Sequence, residues 1–438
     1  MMRLNAIARM RALLSASKGS ATALTMGAVI GQGCVVAATP LLTRIYSAEQ
    51  LGLLSSFTSS VLLVSAIAAG RYDAAIVTVN SRLQAALLVG VGIACAFPIA
   101  FIAGLVFQVL AFRGYVITGG RLAAFTAILM IVAVLGSTIY QLLFSWELRG
   151  RQYGVLGRTR VAQGIVQALW QIGVGLASQS TLGLLMGDAA GRTSGVSVLA
   201  RRFGVRRFVW LLRQPMARII RVARDHVDFP RVLVPSILIN TFSLQIPTLL
   251  ILGMYGAKTA GQFAVAQRVV GLPMRLLGAT VAQTYLTEVS HKNRTEPSGL
   301  LRLFNHGVIR LGLGALLLIV VISLLPRGAY VVVFGHGWGD VRDIARWVAF
   351  AAGAQFVGSP LAQTLIALRA QRTMLAWDIL RLVVVVLAFR GAFLLGFEPV
   401  GAIATYAIGA SAAYLALIAM CYVKVRAASQ APTRLVDN

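Results

Sequence analysis

Two arginines seven residues apart, Arg268 and Arg275, sit in an apolar stretch with Pro273 between them. On a helix this spacing puts both guanidinium groups on nearly one face, about 10 Å apart along the axis. A charge at membrane depth is costly and faces a cavity or a partner. The two can therefore hold an anion, or pair with an acid elsewhere in the chain such as Asp188. Asp188 stands four residues before Arg192, the spacing of an ion pair along one helix face. Such a pair either locks two helices together or presents a carboxylate that answers to a proton or a cation. Gln163, Gln167 and Gln171 form an i, i+4, i+8 stripe with Trp170 beside it. Amides and an indole suit a hydroxyl-rich ligand, and amide stripes equally bind membrane helices to one another. Asn240 and Gln245, and further on Gln355 and Gln363, put amides into two more apolar stretches.

Other polar residues carry less chemistry. Arg310, Asp378 and Arg381 lie close enough to the ends of apolar stretches to reach headgroups by snorkelling inward, and Arg390 by snorkelling outward. Arg44 and Arg71 sit at stretch ends and are expected to serve turns and interfaces. The histidines, His226, His291, His306 and His336, show no metal-ligand spacing, and there is no phosphate-binding loop of the Walker type. The cysteines, Cys34, Cys95 and Cys421, are odd in number, without a CxxC pattern, and are expected to face the membrane as small apolar residues. Neither a metal nor a cofactor is expected.

The elements that must position these groups follow from composition. The 438 residues are 58% hydrophobic and 12% charged, and mean hydropathy is +0.81. A soluble protein of this length could not hide so much apolar surface. Apolar stretches near 20–42, 53–70, 83–111, 122–146, 161–180, 182–200, 232–253, 262–286, 303–325, 345–366, 373–396 and 400–423 each approach the roughly 20 residues needed to span hydrocarbon. The expected fold is thus an all-α polytopic membrane protein of about twelve transmembrane helices. A secretory signal is not expected at the N-terminus, because the first stretch exceeds the roughly 7–15 apolar residues of a signal core.

A net charge of +27 would suggest nucleic acid in a soluble chain. Here the charge marks topology instead. With the N-terminus inside, 27 of the 40 Lys/Arg fall in segments on that side and 7 on the other, which orients the chain with both termini inside. Residues 201–231 concentrate the signal, with nine arginines against two aspartates. This basic amphipathic connector is expected to lie along anionic lipid headgroups on the cytoplasmic face. It divides a basic arm (1–19) and an N-lobe (20–200, helices 1–6) from a C-lobe (232–423, helices 7–12) and a cytoplasmic tail (424–438).

The halves resemble one another. Tyr46-Ser-Ala-Glu-Gln-Leu-Gly52 after the first span and Tyr255-Gly-Ala-Lys-Thr-Ala-Gly261 after the seventh both fit Tyr-x-Ala-x-x-x-Gly. Gln141 leading to Leu148-Arg149 after the fourth span is matched by Gln363 leading to Leu368-Arg369 after the tenth. Two matches in order point to a six-helix repeat. Six is even, so both halves enter from one side and the repeats are parallel.

Pro40-Leu-Leu-Thr-Arg-Ile-Tyr-Ser-Ala-Glu-Gln-Leu-Gly52 followed by Gly70-Arg-Tyr-Asp-Ala-Ala-Ile76 resembles the opening signature of the oligosaccharide flippases of bacterial polysaccharide biosynthesis, within the multidrug/oligosaccharidyl-lipid/polysaccharide exporter superfamily. Leu148-Arg149 through Gln163, Asp228-Phe-Pro230, Ala260-Gly-Gln-Phe-Ala-Val-Ala-Gln-Arg268 with Leu272-Pro273, and Phe334-Gly335 with Trp338 extend the resemblance over residues 20–425. The resemblance implies two six-helix lobes around a central cavity, a polyprenyl-diphosphate-linked oligosaccharide as substrate, alternating access, a place in the inner membrane and polysaccharide assembly proteins as partners. Moving a sugar hydroxyl into hydrocarbon without partners costs roughly 2–7 kcal/mol. Such a task therefore needs a wet polar passage with cations for the diphosphate, and amides and aromatics for the sugars, but no covalent catalysis. Arg268, Arg275, Gln163, Gln167, Gln171, Trp170, Asn240 and Gln245 are the candidates. The alternatives are an ion-coupled multidrug antiporter of the sister family, which would need an acidic site such as Asp188, and a polysaccharide polymerase, which would need a large outside loop.

Overall fold

Apolar segments without water to satisfy their backbones must close every N–H and C=O internally, and helices do so within one segment. The computed structural model describes residues 21–112, 121–368 and 370–430, and these are nearly all helical with no strand. The basic arm, Arg369 and the end of the tail lie outside the described residues. In chain order the helices are α1 (Ala21–Ile45), α2 (Ala48–Ala68), α3 (Tyr72–Thr78), α4 (Arg82–Phe112), α5 (Arg121–Arg149), α6 (Tyr153–Ser178), α7 (Thr181–Thr193), α8 (Val196–Phe203), α9 (Val205–Leu212) and α10 (Met216–Asp225). A π-turn at Phe229–Leu233 leads into α11 (Val234–Thr295), then α12 (Leu300–Leu324), α13 (Arg327–Phe334), α14 (Val341–Leu361), α15 (Gln363–Ala367), α16 (Gln371–Leu394) and α17 (Pro399–Gln430). Gly256, at φ 84° and ψ 174°, breaks α11 into two arms.

With α7 and α8 taken as one rod, α14 and α15 as another, and the arms of α11 separately, the long helices match the twelve expected spans. Among the described residues, α1, α2, α4, α5, the segment 229–271, α12 and α17 are long and apolar enough to cross a membrane by length and composition alone. The remaining rods are broken into shorter helices or fall below that apolar composition. The break between the fifth and sixth spans falls at Gln179, which adopts φ 47°. Two short helices, α3 and α13, were not expected. The connector is not one helix but the succession α8 to α10 and the π-turn.

The chain divides into two compact units, residues 1–241 and 242–438. In the first, α1 packs along α6, α4 along α5, and α7 along both α5 and α6. The α1–α6 contact is close enough to need glycine. A Cβ on Gly164 would lie 2.0 Å from the Gly31 carbonyl oxygen, one on Gly31 2.3 Å from that of Arg160, and one on Gly27 2.3 Å from that of Gly157. Small residues are how membrane helices gain van der Waals contact where lipid is as apolar as leucine. At one end of this unit, Leu142, Leu143, Leu156, Phe203, Leu211 and Val222 form a core that the connector helices help to close. In the second unit α14 packs on α17 and α12, and α16 on α17. Its core gathers Phe304, Leu311, Leu361, Leu365, Trp377, Tyr414 and Leu417. Cys421 is fully buried there rather than facing lipid; a thiol is small and apolar enough to serve as core.

Candidate functional site

The first repeat motif is explained by what it ties together. Ser47 caps α2 by accepting from the Gln50 amide, while the Gln50 side chain accepts from the Ser47 backbone. The same Gln50 donates from Nε2 to the Gln179 carbonyl at 2.7 Å. The Tyr46 hydroxyl donates to the Gln171 carbonyl at 2.9 Å. One turn thus fixes the ends of α1, α2 and α6 against each other.

Asp188 is the best-furnished polar group in the first unit. It is 1% exposed. Its Oδ2 accepts from Arg192 Nε at 2.6 Å, and its Oδ1 accepts from the Thr58 hydroxyl at 3.2 Å and Gln167 Nε2 at 3.3 Å. The i, i+4 pairing expected between Asp188 and Arg192 is therefore present, joined by α2 and α6. The glutamine stripe lies against α7: Gln163 donates to the Arg192 carbonyl at 3.0 Å and Gln171 to the Leu184 carbonyl at 3.2 Å. Glycines on α7 make this approach possible, since a Cβ on Gly183 would meet Val174, on Gly187 Gln171, and on Gly191 Gln167, all below 3.0 Å. Trp170 borders the same contact, its Cδ1 3.2 Å from where a Cβ on Gly187 would lie, and is 41% exposed.

A second cluster went unnoticed in the sequence. Asp73, from the short helix α3, accepts from Gln141 Nε2 at 2.9 Å and pairs with Arg71 at 3.4 Å. Arg71 holds φ 59°, a strained conformation for a residue with a Cβ. Close by, Arg149 donates to the carbonyls of Val79 and Asn80 at 3.0 and 2.6 Å. The signal was available, because Arg71 and Asp73 fall in one quoted motif and Gln141 and Arg149 in another, but only the fold brings them together. Glu147, also buried, pairs with Arg202 of the connector at 3.1 Å.

In the second unit, Asp378 and Arg381 do not snorkel to headgroups. They are 3% and 5% exposed and pair with each other at 3.2 Å. Arg381 also donates to the Tyr414 hydroxyl at 3.1 Å and lies 4.6 Å from the centre of the Trp377 ring. Packing on α17 outweighs the pull of the interface because each charge has the other as its partner where it stands. Arg268 is half-buried on the second arm of α11, in a stretch where Phe263, Val265, Ala266 and Val270 are buried. The backbone of that arm stays helical through Pro273, so the departure from helical geometry in α11 lies at Gly256. The side chains of Arg275 and Pro273 lie outside the described residues. Asn240 and Gln245 are half-buried on the first arm. No group of three or more metal-ligating side chains gathers among the described residues.

Helix order, the long apolar rods and the two-unit division define an all-α polytopic membrane protein. No family model and no curated protein sequence matches the chain. Among solved structures it is similar to an inward-facing multidrug resistance transporter of the MATE family of the MOP superfamily, at TM-score 0.63 and 13% identity over 95% of this chain and 98% of that one. It is also similar to the lipid II flippase MurJ in an inward closed conformation, at TM-score 0.66 and 10% identity over 93% and 90%. A third is the Vibrio cholerae MATE transporter VcmN, at TM-score 0.55 and 12% identity over 95% and 97%. The chain has the fold of MOP-superfamily transporters.

Proposed function

We propose that this chain moves a polyprenyl-diphosphate-linked oligosaccharide, an O-antigen or exopolysaccharide repeat unit, across the bacterial inner membrane by alternating access and without covalent catalysis. One observation carries the choice of an anionic cargo. Each of the four buried carboxylates among the described residues, Asp73, Glu147, Asp188 and Asp378, is matched by an arginine, from Arg71, Arg202, Arg192 and Arg381. A pocket for a cationic drug needs a carboxylate that its ligand can neutralise, and here the protein already neutralises its own. Lysine and arginine outnumber the acids by 40 to 13 over the whole chain, and Arg268 and Arg275 put two of them on one apolar helix. The MurJ-like fold supports a lipid-linked substrate. In this reading Arg268 and Arg275 attend the diphosphate, Trp170, Asn240 and Gln245 the sugars, and Gln163, Gln167 and Gln171 chiefly hold α6 to α7. Both termini and the connector lie in the cytoplasm.

Purified protein in liposomes is expected to expose polyprenyl-diphosphate-linked glycan to an impermeant glycan-cleaving enzyme outside the vesicle, at rates well above protein-free vesicles. A cationic dye driven by a proton or sodium gradient supplies the contrast. Dye accumulation without glycan exposure would replace this reading with the multidrug antiporter, which the MATE-like fold also suits.

Asp188 separates structure from coupling. Removing one partner of a buried ion pair costs about 3–5 kcal/mol, so Asp188→Asn is expected to lower the melting temperature and the membrane-inserted amount sharply. Exchanging the two, Asp188→Arg with Arg192→Asp, should recover part of the loss. If Asp188→Asn instead keeps wild-type stability but loses its response to an imposed gradient, Asp188 couples transport to an ion.

A further inference from the structure

The connector carries a cleft that none of the foregoing uses. It is a shallow, open hollow of about 350 Å³ lined by Val205, Arg206, Val209, Trp210 and Arg213. Its other face is anchored. Phe203, Leu211 and Val222 are buried in the core of the first unit, and Arg207 lies 5.6 Å from the centre of the Trp146 ring. Burying these apolar side chains holds the connector in place, and Arg202 adds its pair with Glu147. The connector is therefore a fixed shelf and not a loose strap.

What the shelf presents is both apolar and cationic. Val205, Leu212 and Met216 are 72%, 86% and 66% exposed, and Val209 and Ile220 are exposed beside them. Water is a poor neighbour for five such exposed side chains. Arg206, Trp210 and Arg213 follow at i, i+4 and i+7, on one face of α9 and its C-cap. Arg206 and Arg213 are both exposed and enter no ion pair among the described residues. The connector's acids, Asp225 and Asp228, lie well along the chain from them. Two guanidinium groups flanking an indole, over a floor of valines, match a phosphate, an interfacial layer and an acyl chain in that order.

We propose that this cleft holds one anionic glycerophospholipid, its phosphate between Arg206 and Arg213 and an acyl chain over Val205 and Val209. The site is distinct from the transport substrate proposed above and stands whichever cargo the protein carries. It makes the setting of the connector, and with it the stability of the first unit, depend on the headgroup charge of the surrounding lipid.

The test uses the full chain in nanodiscs of phosphatidylcholine with graded phosphatidylglycerol, reading bound lipid by native mass spectrometry and melting temperature in parallel. Wild type is expected to retain phosphatidylglycerol through mild delipidation and to melt higher with it than in phosphatidylcholine alone. Arg206→Gln with Arg213→Gln should weaken that retention about thirtyfold, from two arginines near an anionic surface, while leaving the melting temperature in pure phosphatidylcholine unchanged. Arg221→Gln with Arg224→Gln, which removes as much charge from α10, should keep the retention. Equal loss in both double variants would overturn the site in favour of diffuse surface charge. Protection by inorganic phosphate equal to that by the lipid would make it a free-anion site, and no preference for phosphatidylglycerol in wild type would abolish it.

Discussion

Gly164→Ala is expected to leave little folded protein in the membrane. The added methyl would sit 2.0 Å from the Gly31 carbonyl oxygen, and that atom belongs to a helix backbone that cannot turn aside as a side chain can. The only relief is to part α1 from α6, and the gap would run along both helices, past the Gly27–Gly157 and Gly31–Arg160 approaches. Overpacking costs about 1–3 kcal/mol, occasionally more, where neighbours can adjust, and a backbone clash belongs at the upper end. Size-exclusion fluorescence and thermal melting of the detergent-extracted protein measure the effect. Gly33→Ala and Gly173→Ala are the matched controls, on the same two helices but with nothing within 4 Å of the new Cβ. Equal melting temperatures for Gly164→Ala and the controls would show that the two helices are not held by this contact.

That close approach was not read from the sequence, because the spacing of Gly157 and Gly164 does not say which helix a glycine meets. The helices themselves were far more legible. Long apolar runs bounded by arginines leave the backbone no alternative to helix in a bilayer, and the rods follow those runs. Boundaries were less so: the fourth span reaches Arg149 and the second arm of α11 runs on to Thr295, because helices continue into water where residue preference permits. The short helix α3 carries too little apolar pattern to declare itself.

Charges divided in the same way. Asp188 and Arg192 could be paired from their spacing, since both lie on one helix. Asp73 with Gln141, and Glu147 with Arg202, are joined across 68 and 55 residues, and no periodicity relates them. Asp378 and Arg381 sit within reach of an interface by sequence, but the neighbours that keep them inside, Trp377 and Tyr414, act through α16 packing on α17. In each case the missing information was which helix lies next to which. Once four acids are bound to four arginines, the surplus of basic over acidic residues becomes the distinctive chemistry of the chain.

Arg275→Ala is accordingly expected to abolish surface polysaccharide while the protein remains in the membrane, and Arg268→Ala to do so more mildly. Seven residues apart on the second arm of α11, the two positions share a helix face. Arg268 comes first after the break at Gly256, and in the proposed reading it is the one whose lost charge water and lipid headgroups can replace. In the proposed reading Arg275, two turns further along the same arm, is out of their reach. A hydrogen bond to a charged group contributes about 1.5–3 kcal/mol, so losing one at the step where the diphosphate leaves the headgroup layer slows transport roughly 10- to 100-fold. Lysine keeps the charge but not the planar fork that meets two phosphate oxygens together, and Arg275→Lys should therefore restore only part of the rate. The quantity to measure is surface glycan per molecule of membrane-inserted protein, in a strain whose own copy has been deleted. Destabilisation would appear as less inserted protein at unchanged activity per molecule, which separates packing from transport. Full activity per molecule in the Arg268→Ala, Arg275→Ala double variant would remove the diphosphate from this helix and leave its arginines to packing and topology.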